Sequence, residues 1–134
     1  MRFEVLVIDD DQITLMLHKT LVSRAGLHND AKKFLNGKLA LDHIIENDAD
    51  DIAYLALLDI NMPVMDGWGF MDGYLAANLK SKLYVVMITS SVDNPDRERA
   101  ESYPMVIDYF TKPVVKEQVA KLSEHEAIKP LLSA

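Results

Sequence analysis

The chain has 134 residues, 49% of them hydrophobic, enough to build one domain around a real core. A formal net charge of -7 argues against direct binding to nucleic acid or to an anionic membrane surface. With no cysteine, disulfides, thiolate metal centres and Cys nucleophiles are excluded, and a reducing compartment is the expectation. The first apolar run, Val5 to Ile8, is cut off by Asp9 and is too short for a signal segment or a spanning helix. The chain therefore reads as a soluble cytoplasmic protein with no membrane insertion.

Val5 to Ile8 is a continuous β-branched and Leu run, the pattern of a strand buried on both faces of a parallel sheet. Asp9-Asp10-Asp11 closes it, and a helix follows from Gln12 to Ala25. Ile13, Met16, Leu17 and Leu21 share one face of that helix, and Gly26 stops it. A weaker strand spans about residues 30–35. A second helix after Asn36-Gly37 carries Leu41, Ile44 and Ile45 on one face. Ala53 to Leu58 is the most apolar run and delivers Asp59 to its end, just before Asn61-Met62-Pro63 and the Asp66-Gly67 turn. Trp68, Met71, Leu75 and Leu79 then form a third helical stripe.

Leu83 to Ile88 is another strand, ending at Thr89. Asp93 or Asn94 caps a fourth helix with Pro95 at its first position, and the charges of Asp96 to Glu101 leave it the most loosely held. Val106 to Phe110 is the fifth strand, followed by Lys112-Pro113 and a helix marked by Val115, Val119 and Leu122. From Ala127, with Pro130 inside it, the tail is expected to fray. Strands alternating with helices imply right-handed crossovers and one parallel sheet covered on both faces. Ligands of such a sheet sit beyond the carboxyl ends of its strands, where Asp9 to Asp11, Asp59, Thr89 and Lys112 all fall.

Carboxylates without Cys or His make a hard oxygen-donor set, suited to Mg²⁺ or another hard divalent ion rather than to zinc. A carboxylate beside such an ion can act as a nucleophile and form an acyl phosphate. The phosphoryl charge then needs the metal, a fixed ammonium (Lys112) and a hydroxyl donor (Thr89). Phosphoryl transfer onto Asp59 is the reaction this set supports. His18, His28, His43 and His125 lack ligand spacing, and most of them read as surface or helix-flank residues; Gly67-Trp68-Gly69 is too short for a phosphate loop.

Together, Val7-Ile8-Asp9-Asp10-Asp11, the run from Leu57 to Gly67, Met87-Ile88-Thr89-Ser90 and Tyr109-Phe110-Thr111-Lys112-Pro113 resemble the signature set of receiver domains of two-component response regulators. The likeness runs from about Glu4 to Ser123. It implies an α/β fold of the flavodoxin-like kind: a single-domain, doubly wound, five-stranded parallel sheet in the order 2-1-3-4-5, helices on both faces. It also implies that Asp59 is the phosphoacceptor. Mg²⁺ (or Mn²⁺) would be held by the side chains of Asp10 and Asp59, by the backbone carbonyl of Asn61, and by Asp9 at least through water. Lys112 would pair with a phosphoryl oxygen, and a cis bond is expected before Pro113. Thr89 and Tyr109 would be switch residues that remodel the face formed by the fourth helix, fifth strand and fifth helix. Ser90 stands where the family more often has Ala. Asn61 and Ser91 occupy positions that tune the lifetime of the phosphorylated state. The phosphodonor would be a sensor histidine kinase or a histidine phosphotransfer protein, with a further protein as downstream partner. Residues 1–126 read as the receiver domain and 127–134 as a short tail without an output domain, as in stand-alone chemotaxis-type or phosphorelay-intermediate regulators.

Two other functions compete. A haloacid-dehalogenase-like phosphohydrolase would use Asp9 as nucleophile and Asp11 as acid. It lacks a cap-sized insertion, has Ile13 where a Thr is expected, and leaves Asp59 without a role. A pseudo-receiver, binding partners without phosphorylation, requires a broken site, whereas this site is intact in sequence.

Overall fold

The computed structural model describes residues 1–90 and 94–132. In chain order the elements are β1 (Arg2–Ile8), α1 (Gln12–Arg24), β2 (Lys32–Phe34), α2 (Gly37–Glu46), β3 (Ile52–Asp59) and α3 (Gly67–Ala77). They continue with β4 (Lys82–Thr89), α4 (Asn94–Glu101), β5 (Val106–Thr111), α5 (Lys116–Leu122) and α6 (Lys129–Leu132). All strand pairs are parallel and the sheet order is β2-β1-β3-β4-β5, as the sequence implies.

The continuous apolar runs are central strands because both of their faces are covered. Every residue of β3 is buried. Leu6, Ile8, Tyr54, Leu58 and Met87 pack under α2, α3 and α4, whereas Val5, Val7, Leu57, Val86 and Ile88 pack under α1, α5 and the C-terminal segment. Alternate side chains of one strand thus enter opposite cores.

Cap chemistry fixes where the helices begin. The side chains of Asp11, Asn36 and Asp66 accept hydrogen bonds from the backbone N–H groups of Ile13, Leu39 and Gly69. Gly26, with φ of +75°, follows α1 as expected. The Asp93 cap lies outside the described residues, as does Ser91.

The structure corrects four details. In α1 the face on the sheet is Leu15, His18 and Val22, with Leu21 only partly buried, while Ile13, Met16 and Leu17 are exposed. The helix carries two stripes of similar spacing, and the one interrupted by a histidine is the one that is buried. Ile45 of α2 also points out, beside a core face of Ala40, Leu41 and Ile44. α3 ends at Ala77, because Asn78 takes a left-handed conformation (φ 51°); Leu75 is exposed and Leu79 packs from beyond the helix. The segment after Ala127 does not fray: Ile128 is fully buried, α6 forms, and Leu131 packs against the α1–α5 core.

α4 has the small apolar face that its charge predicts. Among its described side chains only Ala100 is buried.

Candidate functional site

Parallel pairing brings the carboxyl ends of β1, β3, β4 and β5 to one edge of the sheet. Asp9 follows β1 and is 1% exposed. Its Oδ1 accepts a hydrogen bond from the Asp11 N–H (3.0 Å) and its Oδ2 accepts one from Lys112 Nζ (2.8 Å). Asp59 ends β3 at 6% exposure, and Lys112 Nζ lies 3.8 Å from its Oδ1. Asp10 is exposed at the mouth, yet carboxylate oxygens of Asp9, Asp10 and Asp59 all lie within 4.8 Å of one another. Of the sequence candidates, then, Asp9, Asp10, Asp59 and Lys112 converge on one pocket.

Asp11 does not join them. Its carboxylate caps α1, accepting from the Ile13 N–H (2.9 Å) and from the Thr14 hydroxyl (3.2 Å). The second carboxylate that a dehalogenase-type reading requires is therefore turned toward the helix.

The frame around these groups is tight. The Lys112 N–H donates to the Thr89 carbonyl (2.8 Å), tying β5 to β4, and the Lys112–Pro113 bond is cis. Thr89 is fully buried, while Ser90 is exposed. A Cβ on Gly67 would lie 2.8 Å from the Asp59 carbonyl oxygen, so only glycine lets α3 start against the backbone of Asp59. Asn61 is exposed in the loop that follows β3. Further along that loop, Val64 has φ of 71° and is 84% exposed, a strained backbone for a β-branched residue. Tyr109 stands farther back on β5, half-buried, with the Arg97 guanidinium carbon 5.4 Å from its ring centre.

Charge is the defining property of the pocket. Burial, then the nearby Asp9 and Asp10 carboxylates, pushes Asp59 up to about 6, although Lys112 and the Asn61 N–H pull the other way. Burial alone would lower Lys112, but its hydrogen bond to Asp9 and the charges of Asp59, Asp9 and Asp10 outweigh this, and its pKa is raised. Three carboxylates against one ammonium leave an excess of negative charge in a partly buried place. An all-oxygen donor set with that excess fits a hard divalent cation, Mg²⁺ or Mn²⁺.

His18 is the histidine that a surface or helix-flank reading does not fit. It is 4% exposed on the inner face of α1, its pKa is lowered by burial, and it senses both Asp9 and Lys112. Nothing in a period-3.6 pattern separates such a buried histidine from a surface one.

Comparison with known proteins agrees with the geometry. The family model for the response regulator receiver domain matches residues 5–124. The chain is 27% identical over 124 residues to the probable methanogenesis regulatory protein FilR2 of Methanothrix harundinacea, covering 91% of this chain and 79% of that protein. It is 28% identical to the two-component response regulator ARR10 of Arabidopsis thaliana over 96% of its own length, which is only 22% of that protein. Among solved structures it resembles a CheY-like response regulator receiver domain protein of Methanospirillum hungatei. There the TM-score is 0.73 at 26% identity, with both chains fully covered. Strand order, strand-end acidic pocket and matched length converge, and the chain belongs to the response-regulator receiver family.

Proposed function

We propose that this protein accepts a phosphoryl group on Asp59 from the phosphohistidine of a sensor kinase or a histidine phosphotransfer protein, in the cytoplasm, and thereby switches a protein-binding face. The observation that carries this reading is the placement of Asp59 at the end of β3. Its carboxylate is almost buried, 3.8 Å from the Lys112 ammonium and beside two further carboxylates.

In the transfer an Asp59 carboxylate oxygen attacks phosphorus and forms a new P–O bond. The P–N bond to the donor imidazole breaks, and the imidazole keeps that electron pair. With its pKa at about 6, Asp59 is mostly ionised at pH 7, so the nucleophile is available without a general base. Lys112, now paired with Asp9, is within a short side-chain movement of a phosphoryl oxygen on Asp59. Thr89 supplies a hydroxyl from the end of the neighbouring strand, and Tyr109 follows it on β5. Asp9, Asp10, Asp59 and the Asn61 carbonyl would hold Mg²⁺, which supplies positive charge against the phosphoryl oxygens. Hydrolysis at the same site resets the switch, so the protein acts as a signalling switch that catalyses its own phosphorylation and dephosphorylation.

The test is intact mass after incubation with acetyl phosphate and Mg²⁺, wild type beside Asp59→Asn. One phosphoryl adduct is expected on the wild type, lost in the variant and lost when a chelator removes the metal. An adduct retained at full level in Asp59→Asn would refute the assignment. Absence of any adduct on the wild type, with metal binding shown separately, would favour a binding module that is not phosphorylated.

A further inference from the structure

β2 is an end strand of the sheet, paired with β1 on one side and with no described strand on the other. The Phe34 carbonyl accepts from the Asp9 N–H, which turns the backbone groups of Phe34, and by alternation those of Lys32, toward β1. The N–H and C=O of Lys33 therefore face outward. An open edge of this kind is a template for one more strand. Grooves run along both of its faces. On the side of α1 two of them, of about 360 and 450 Å³, share Met16 and Lys33. On the side of α2 a third, of about 480 Å³, is lined by Phe34, Leu39 and His43 among others. Leu35, just past the strand, lines a groove on each side.

The two faces differ in chemistry. Lys33 is in register with Val7, whose side chain packs under α1, so the Lys33 side chain lies on that face. Lys19 and Arg24 of α1 line the same groove, and no carboxylate lines either groove on this side. Lys19 Nζ is 3.7 Å from the Asp30 carboxylate, whereas the side chains of Arg24 and Lys33 make no ion pair or hydrogen bond among the described residues. In a chain of net charge -7 this is a local excess of positive charge. The α2 face is different. Phe34 is partly buried and Leu39 is exposed there, and Lys38 and Asp42 neutralise each other at 2.7 Å. Glu46 lines this groove too, which disfavours a further carboxylate on this side.

We propose that the free edge of β2 receives an extended segment of another protein as an added strand, a segment in which carboxylates alternate with apolar side chains. Its backbone hydrogen-bonds to the outward N–H and C=O of Lys33, and its alternate side chains enter opposite grooves. The carboxylates meet Lys33 and Arg24 beside α1, and the apolar side chains meet Phe34 and Leu39 beside α2. A second copy of this chain is a poor occupant, because pairing two β2 edges would set one Lys33 against the other. Lysine on an edge strand deters pairing in general; here it deters self-pairing and cationic segments while favouring an acidic one. No residue of the Asp59 pocket takes part, so this surface stands independently of the phosphoacceptor reading.

The test uses the full chain and two fluorescein-labelled peptides, one alternating Glu with Leu and one alternating Lys with Leu, with binding read by anisotropy. Wild type, Arg24→Glu and Lys33→Glu are compared, and thermal melts show that each is folded. The Glu–Leu peptide should bind the wild type, more weakly as salt is raised, and each variant should bind it about five- to tenfold more weakly. The Lys–Leu peptide should not bind the wild type. Amide exchange followed by NMR separates strand addition from charge attraction alone. The Lys33 N–H should become protected when the Glu–Leu peptide binds, whereas those of Lys32 and Phe34 are protected with or without it. No binding of the Glu–Leu peptide, equal binding of the Lys–Leu peptide, or full affinity in both folded variants would overturn the proposal. A bound peptide that leaves the Lys33 N–H unprotected would overturn the strand addition. Self-association of the peptide-free chain with protection of the Lys33 N–H would give this edge to a second copy and overturn the proposed partner.

Discussion

β3 and α4 are opposite solutions to holding a segment in place. β3 buries all eight of its residues between two helical layers and ends in the carboxylate at the centre of the site. α4 buries Ala100 alone among its described side chains and is gripped from either flank by cation–π contacts. Burial of this extent gives a strand a single position, because any displacement opens cavities in both cores. A helix held by a few solvated contacts can shift at small cost. The carboxylate at the centre of the site thus sits on the most deeply buried strand, whereas α4 has little buried surface.

The contrast can be broken at its rigid end. Leu57→Ala, in the middle of β3, should destabilise the fold by about 3 kcal/mol through the cavity it leaves, measured by urea unfolding. A loss under about 1 kcal/mol would show that the central sheet is softer than its burial implies.

Asp59→Asn should act in the opposite direction. Because the folded-state pKa is raised to about 6 from an unfolded value near 3.9, the native protein holds this proton more tightly than the unfolded chain. The native carboxylate is therefore a destabilising charge, absent below pH of about 4, growing between about 4 and 6, and full above that. In metal-free buffer Asp59→Asn should be more stable than wild type by about 2 kcal/mol near pH 7.5, with the gain vanishing near pH 4. A gain independent of pH would mean that Asp59 carries no strained charge.

Val64→Gly relieves a left-handed β-branched residue in an exposed loop and should stabilise the fold by about 0.5–1 kcal/mol in thermal melts. A loss of stability would contradict the strain assigned to this turn. Smallest of all, Glu98→Ala on exposed α4 should change stability by less than about 0.5 kcal/mol. A loss comparable to that of Leu57→Ala would show that α4 is not weakly held.

The strands were legible because a parallel sheet demands continuous apolar runs, and those runs end in the residues that form the pocket. Asp59 and Lys112 could be linked in sequence only because each terminates such a run. The faces of α1 were not legible: Ile13, Met16 and Leu17 satisfy the same spacing as the truly buried Leu15, His18 and Val22. Periodicity finds a stripe, but it cannot choose between two. The end of α3 depended on a left-handed Asn78, a conformation that asparagine tolerates without announcing it. The packing of Ile128 depends on a chain reversal after α5 that leaves no periodic signal. The contacts of Arg99 with Trp68, of Trp68 with Tyr103 and of the Tyr103 hydroxyl with Asp72 join residues up to 35 positions apart and leave no periodic signal either, although the charge of α4 marks it as weakly buried.

The most direct test of this contrast is amide hydrogen exchange with and without phosphorylation, the occupancy of Asp59 being confirmed by mass in the same sample. The account predicts that exchange in α4 and the turn after it changes on phosphorylation while β1 and β3 stay protected throughout. A phosphorylated protein whose α4 exchanges as before, or whose β3 loosens as much as α4, would contradict it.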